Sequence, residues 1–224
     1  MKRLVLIPFV LLLGAAPSTQ PTPALVTRAR QVLATVKTST YQHPTDIDAS
    51  AGRYNCDCSG LIDYLLLQDL PLHYKSIPFP KSVKRPRAVE FYQAFIAAPP
   101  APAQPTPGQL WQHVETITQA RTGDLLAWRK DPLPEKGSTG HIVLFDSTPK
   151  PIAENLYEII VIDSTSLPHH DDTRPANVTG VGRGTIYIKT DAQGHPIGYA
   201  SKSANGPFLK HPIAIARPVG MSNE

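Results

Sequence analysis

The 224 residues, 41% of them hydrophobic, are enough for one domain with a real core, and this apolar content excludes a disordered chain despite 24 prolines. The formal charge of +4 includes Lys2 and Arg3, and no basic run is interleaved with aromatics, so nucleic-acid binding has no support. The two cysteines, Cys56 and Cys58, are one residue apart, and a bridge between them would close a small, strained ring.

Residues 1–18 combine a short basic start, an apolar run over residues 4–13 and small residues at 14–16. That is the layout of a secretory signal peptide, with cleavage expected within residues 16–20. The apolar run is too short to span a bilayer, no cysteine follows it to carry a lipid, and no later stretch is apolar for long enough to cross a membrane. The expected product is exported, periplasmic or secreted, without stable membrane insertion and monomeric. Residues 24–36 then predict an amphipathic helix with Leu25, Ala29, Val32, Leu33 and Val36 on one side.

The stretch 54–66 carries the most information. Asp57 is a good N-cap, and Leu61, Ile62 and Leu65 recur behind it at helical spacing with Cys58 on the same stripe. The thiol therefore falls in the first turn, where the partial positive charge of the helix N-terminus favours thiolate, the nucleophilic form. The residues alone also allow Cys58 to be a small buried hydrophobe, and Cys56 reads as a packed structural residue, with a redox partner as the alternative. Gly60 suits a place where a substrate or another backbone passes close by.

Residues 70–86 read as loop and residues 88–97 as a short helix with Val89, Tyr92, Phe95 and Ile96 inward. The proline-rich run 99–108 forms neither helix nor central strand; it reads as a surface connection, with a stiff wall beside a cleft as the alternative. Strands are expected at 123–128, at 140–145 with His141, Val143 and Phe145 on one face, and at 158–164. The last is apolar on both faces and therefore central. A carboxylate at its end, Asp163, needs a partner: it either orients a histidine or caps the following turn. His169, His170, Asp171 and Asp172 read as a solvated loop rather than a metal site, because no second ligand cluster accompanies them. No metal or cofactor is expected. Gly180, Gly182 and Gly184 lead into a strand at 185–190, a turn at 191–194, a strand at 196–200 and a last strand at 212–219; without a lysine motif or a following helix they form no phosphate loop.

Three segments in order resemble the NlpC-type papain-like cysteine peptidases, bacterial thiol proteases that cut peptidoglycan stem peptides. Asp-Cys-Ser-Gly-Leu-Ile at 57–62 resembles the family's Asp-Cys-Ser-Gly-Leu-Val, Gly-Asp-Leu-Leu-Ala-Trp at 123–128 its Gly-Asp-Leu-Val-Phe-Phe, and Gly-His-Ile-Val-Leu-Phe at 140–145 its Gly-His-Val-Gly-Ile-Tyr. The resemblance spans residues 24–166. It implies an α+β, papain-like NlpC-type fold, with N-terminal helices packed on a central antiparallel sheet. This would be one domain over residues 21–224, with an insertion around 79–119. It also implies Cys58 as nucleophile, His141 as base and a polar residue ending the next strand, a position that Asp163 matches by strand rather than by motif.

The implied substrate is a peptidoglycan or related peptide, cut between D-glutamate and a diamino acid. Such stem peptides carry free carboxylates, for which Arg53 and Arg174 are candidates. The family's Pro-Tyr-x-x-Gly-Gly stretch has no full counterpart: Tyr41 and Tyr54 are both available to stabilise an oxyanion, and the Gly-Gly is missing. The same cysteine–histidine arrangement serves amidases, acyltransferases and secreted toxins. The missing glycines leave a non-catalytic envelope-binding protein as a further alternative.

Overall fold

Helical stripes in the first half of the chain and period-two alternation in the second sort it into helices on one side of a large sheet. The computed structural model describes residues 23–101 and 104–220, so the expected signal peptide lies outside the described residues. Helix α1 (Ala24–Thr35) buries Leu25, Val26, Ala29 and Val32, and a small antiparallel hairpin follows, β1 (Asp46–Asp48) with β2 (Arg53–Asn55). Then come α2 (Cys58–Asp69), a single turn α3 (Pro71–Lys75) and α4 (Ala88–Ala97). The remaining strands are β3 (Trp111–His113), β4 (Leu125–Arg129), β5 (Gly140–Phe145), β6 (Lys150–Ala153), β7 (Leu156–Thr165), β8 (Gly180–Thr190), β9 (Pro196–Ala200) and β10 (Ile213–Pro218).

These eight strands form one antiparallel sheet in the order β3–β10–β4–β5–β7–β8–β9, with β6 paired to β7 off this path. Alternation along each strand gives the sheet two cores. On the helix side, Leu125 and Ala127 of β4 and Ile142 and Leu144 of β5 meet Leu61, Ile62, Leu65 and Leu66 of α2 and Phe91 and Phe95 of α4. On the other side Leu126, Trp128, Val143, Phe145, Val161, Ile186 and Tyr199 pack with Val114 and Ile117. Shortening any of the fully buried leucines of α2 to Ala costs about 2–5 kcal/mol. The fold is thus mixed α+β, with a few helices against a large antiparallel sheet.

Several elements differ from the sequence reading. The hairpin β1–β2 and strands β3 and β6 were not expected, being three or four residues long and too short to display a period. Within 70–86, read as loop, Pro71 opens α3 at a position where a missing N–H does no harm. Strand β8 begins at Gly180, five residues before its expected start, because its three glycines are part of the strand. The described part of the proline-rich run 99–108 does not line the cleft around Cys58 and instead borders a groove with α3. No described helix is long and apolar enough to cross a membrane.

Candidate active site

Cys58 is the first residue of α2, and the cap before it holds that turn firmly. The Asp57 carboxylate accepts from the Gly60 N–H at 2.8 Å, and the Leu61 N–H reaches the Asp57 carbonyl at 3.1 Å, closing the first turn. The N–H groups of Cys58 and Ser59 precede that first intrahelical bond and have no carbonyl of the helix to meet. Gly60 is needed for a close approach, as the sequence suggested, but by the protein itself: a Cβ there would lie 2.6 Å from Thr45 Oγ1. Cys56 is fully buried, and burial pushes its thiol up to about 12, so it stays protonated.

Strands β5 and β7 bring His141 and Asp163 to the same end of the sheet. The imidazole Nε2 donates to Asp163 Oδ2 at 2.6 Å, which leaves Nδ1 free for Cys58, the ring's other electrostatic neighbour. Burial pulls the His141 pKa down, but the charges and hydrogen bonds of Cys58 and Asp163 outweigh it and raise it to about 10. Asp163 is completely buried; burial pushes its carboxyl up, yet His169 and His141 hold it well below the usual carboxylate range. The resulting set, a thiol on a helix start, an imidazolium and an ionised carboxylate, can deliver a nucleophile and then a proton.

Tyr41 completes this group. It lines the same cavity as Cys58, and burial, with the negative charges of Cys58, Asp57 and Asp163, holds its pKa far above the usual phenol value. It therefore remains a donor beside the sulfur. Tyr54, the other tyrosine singled out from the sequence, is not in the cleft: it is 2% exposed, edge-on to Tyr64, with its hydroxyl 3.4 Å from Thr35 Oγ1.

Two cavities flank the Cys58–His141 pair. One, of about 580 Å³, is lined by Cys58, Asp57, Thr45, Lys84, Arg85 and Arg87. The other, of about 370 Å³, is lined by His141, Trp128, Leu167, His169, Tyr199 and His211, and Tyr41, His43, Ser138 and Gly140 border both. Arg85 is bound into the floor of the larger one: it donates to Asp57 Oδ1 at 2.6 Å, Ser59 Oγ at 2.6 Å and Asp63 Oδ2 at 3.2 Å. Asp63 sits beneath it with its other oxygen unpartnered, and burial, against the pull of Arg85, raises its carboxyl to about 8.

Neither arginine proposed from the sequence faces these cavities. Arg53 pairs on the exposed hairpin with Asp46 at 3.0 Å and Asp48 at 3.8 Å. Arg174 is buried, with Nη2 on Asp163 Oδ1 at 2.7 Å and Nε on Asp172 Oδ1 at 2.8 Å, so two carboxylates already occupy it. The loop 169–172, read as solvated, is buried at His169, half-buried at His170 and Asp172, whose side chain is 4% exposed, and open only at Asp171. His169 Nε2 donates to the same Asp163 oxygen as His141, at 2.8 Å. The sequence signal for this was the spacing of Gly180, Gly182 and Gly184, which marks a strand face kept bare so that something can pack on it.

His141, Asp163 and His169 are the described group whose possible ligand atoms all lie within 4.8 Å of one another. Both imidazoles direct an N–H at Asp163 and the Arg174 guanidinium stands on its second oxygen, so a cation would have to displace two protons beside a fixed positive charge. Their hydrogen bonds to each other account for the cluster. Comparison of the chain with models of protein families, with curated proteins and with solved structures found no significant match.

Proposed function

We propose that this chain is a papain-like cysteine hydrolase of the NlpC type, exported and acting on peptide bonds of peptidoglycan stem peptides. The observation that carries the reading is one arrangement: Cys58 at a helix start, electrostatically coupled to His141, whose Nε2 lies 2.6 Å from the buried Asp163. A helix-borne cysteine packed on an antiparallel sheet whose next two long strands carry the histidine and the carboxylate is the layout that a papain-like fold needs. The choice of stem peptides rests on the three motif resemblances, and Lys84 on the cavity wall suits a substrate with a free carboxylate, whereas Arg87 beside it is held by Glu90 at 2.7 Å.

In this mechanism the Cys58 thiolate attacks the scissile carbonyl carbon. The oxyanion is met by the backbone N–H of Cys58, which has no helical acceptor, and by the Tyr41 phenol. The C–N bond breaks as His141 Nδ1 gives its proton to the leaving amine, forming a thioester on Cys58. Nδ1 then removes a proton from water, whose oxygen displaces the sulfur, and the released acid leaves the thiolate–imidazolium pair restored. Asp163 stays ionised throughout, fixing the tautomer and stabilising the imidazolium.

Digestion of purified cell wall with mass analysis of the fragments tests the reading. New free amines on the diamino acid, absent with Cys58→Ala, are the expected products. Lactyl ends would assign amidase chemistry instead, and the absence of any product under conditions where the chain binds the wall would favour a binding protein.

A further inference from the structure

The mechanism uses one side of Asp163, yet the loop after β7 is built around its other contacts. Oδ2 is shared by the Nε2 atoms of His141 and His169 at 2.6 and 2.8 Å, while Oδ1 takes Arg174 Nη2 at 2.7 Å. Asp172 ties the two loop partners together, accepting from the His169 N–H at 2.6 Å and from Arg174 Nε at 2.8 Å. Arg174 Nη1 is pinned by the Gly180 carbonyl at 3.1 Å. The loop is also stitched to β8 by backbone bonds between His170 and Thr185 at 3.3 and 2.7 Å, and from the Thr173 N–H to the Arg183 carbonyl at 2.8 Å. Glycines make the space: a Cβ on Gly182 would run into Arg174 Nε, and one on Gly184 would lie 2.8 Å from His169 Cβ.

We propose that His169, backed by Asp172 and Arg174, is a positioning residue that clamps the Asp163 carboxylate so that Oδ2 stays on His141. The proposal rests on Cys58 and His141 being the reacting pair. To donate to Oδ2, His169 must carry a proton on Nε2, and its Nδ1 is a buried polar atom with no hydrogen-bond partner. A residue present only to fill space would not bring an unmet nitrogen into the interior, since Leu or Phe would fill it without one. A clamp explains the imidazole. A carboxylate held by one histidine can rotate about its own side-chain bonds, whereas one held from three directions cannot. The charged and titratable groups that face it are His141 from β5, His169 and Arg174 from the loop, and, one contact further out, Cys58 from α2, Tyr41 and Asp172.

Three variants test this, with alkylation of Cys58 by iodoacetamide at neutral pH as the readout alongside kcat and KM. In His169→Gln the side-chain N–H reaches about as far as Nε2, whereas in His169→Asn it stops short. The Gln variant should alkylate within about threefold of wild type, while Asn and Leu variants should be slower by about 10- to 100-fold, with kcat falling in step and KM unchanged. Equal rates for the Gln and Asn variants, or a wild-type rate for the Leu variant, would overturn the clamp. If His169→Leu does not fold, the Gln–Asn comparison decides alone. Alkylation needs no substrate, so a failure of the clamp is distinguishable from a failure of the proposed reaction, which activity surviving in Cys58→Ala would reveal.

Discussion

Replacing Asp163 with Asn removes one charge from the centre of the site and almost no volume. The bond from His141 to Asp163 is charge-assisted, and such bonds exceed neutral ones by about 1–1.5 kcal/mol, or roughly one pKa unit. In the native protein His141 is raised to about 10, so the imidazolium is intact below that and is lost as pH rises through it. With an amide oxygen still accepting from His141, the Asn variant would lose it about one unit lower. A second effect is larger. Arg174 lies 2.7 Å from Oδ1 and will keep the amide oxygen, turning the amide NH₂ toward the two imidazoles. His141 then has to accept on Nε2 and carry its proton on Nδ1, where it can no longer take one from the thiol. A wrong tautomer of this kind costs about 10²- to 10⁴-fold in kcat. Stability should fall by about 3 kcal/mol, the low end for breaking a buried pair, because Arg174 retains Asp172. The assay is kcat/KM against pH, with melting temperature measured alongside. An unchanged alkaline limb with kcat within threefold of wild type, while the melting temperature drops, would show that Asp163 only holds the loop.

The other predictions concern single neighbours. Tyr41→Phe should lower kcat by roughly 10²-fold with little change in KM, whereas Tyr54→Phe should be silent in steady-state kinetics. Lys84→Ala should raise KM for carboxylate-bearing peptides by about two- to fivefold, the size of an exposed ion pair, and Arg53→Ala should leave it unchanged. Because burial raises the Asp63 carboxyl to about 8, its contribution to stability is full only below its unfolded pKa and is lost as pH rises toward 8. Asp63→Asn should therefore gain in melting temperature over wild type as pH rises from about 4 to about 8 and hold that gain above it; a difference independent of pH would contradict this.

Local chemistry was legible in the sequence wherever one residue acts on its own neighbours. The Asp57 cap and the stripe of Leu61, Ile62 and Leu65 define α2, and alternation around Ile142 and Leu144 defines β5. Asp163 was legible as a costly buried charge in need of a partner. What escaped was the pairing of distant groups. Arg174 looked like a free cation because nothing in the chain order shows that Asp163 and Asp172 enclose it, and Arg85 was passed over because its partners lie 22 and 28 residues earlier. His169 lay in a run of polar residues that resembles solvated loop, and only the bare glycine face of β8 hinted that the loop was packed.

The central claim is that Cys58 and His141 act as a pair, and the most direct measurement is the rate at which iodoacetamide labels each cysteine at pH 6.5, by peptide mass mapping. A thiol without a partner is only about 1% ionised at that pH. Wild type should label rapidly at Cys58 and not at Cys56, whose buried thiol is pushed up to about 12. His141→Ala should slow labelling of Cys58 by at least about tenfold and leave Cys56 unlabelled. An equal rate at Cys58 with and without the imidazole would contradict the account.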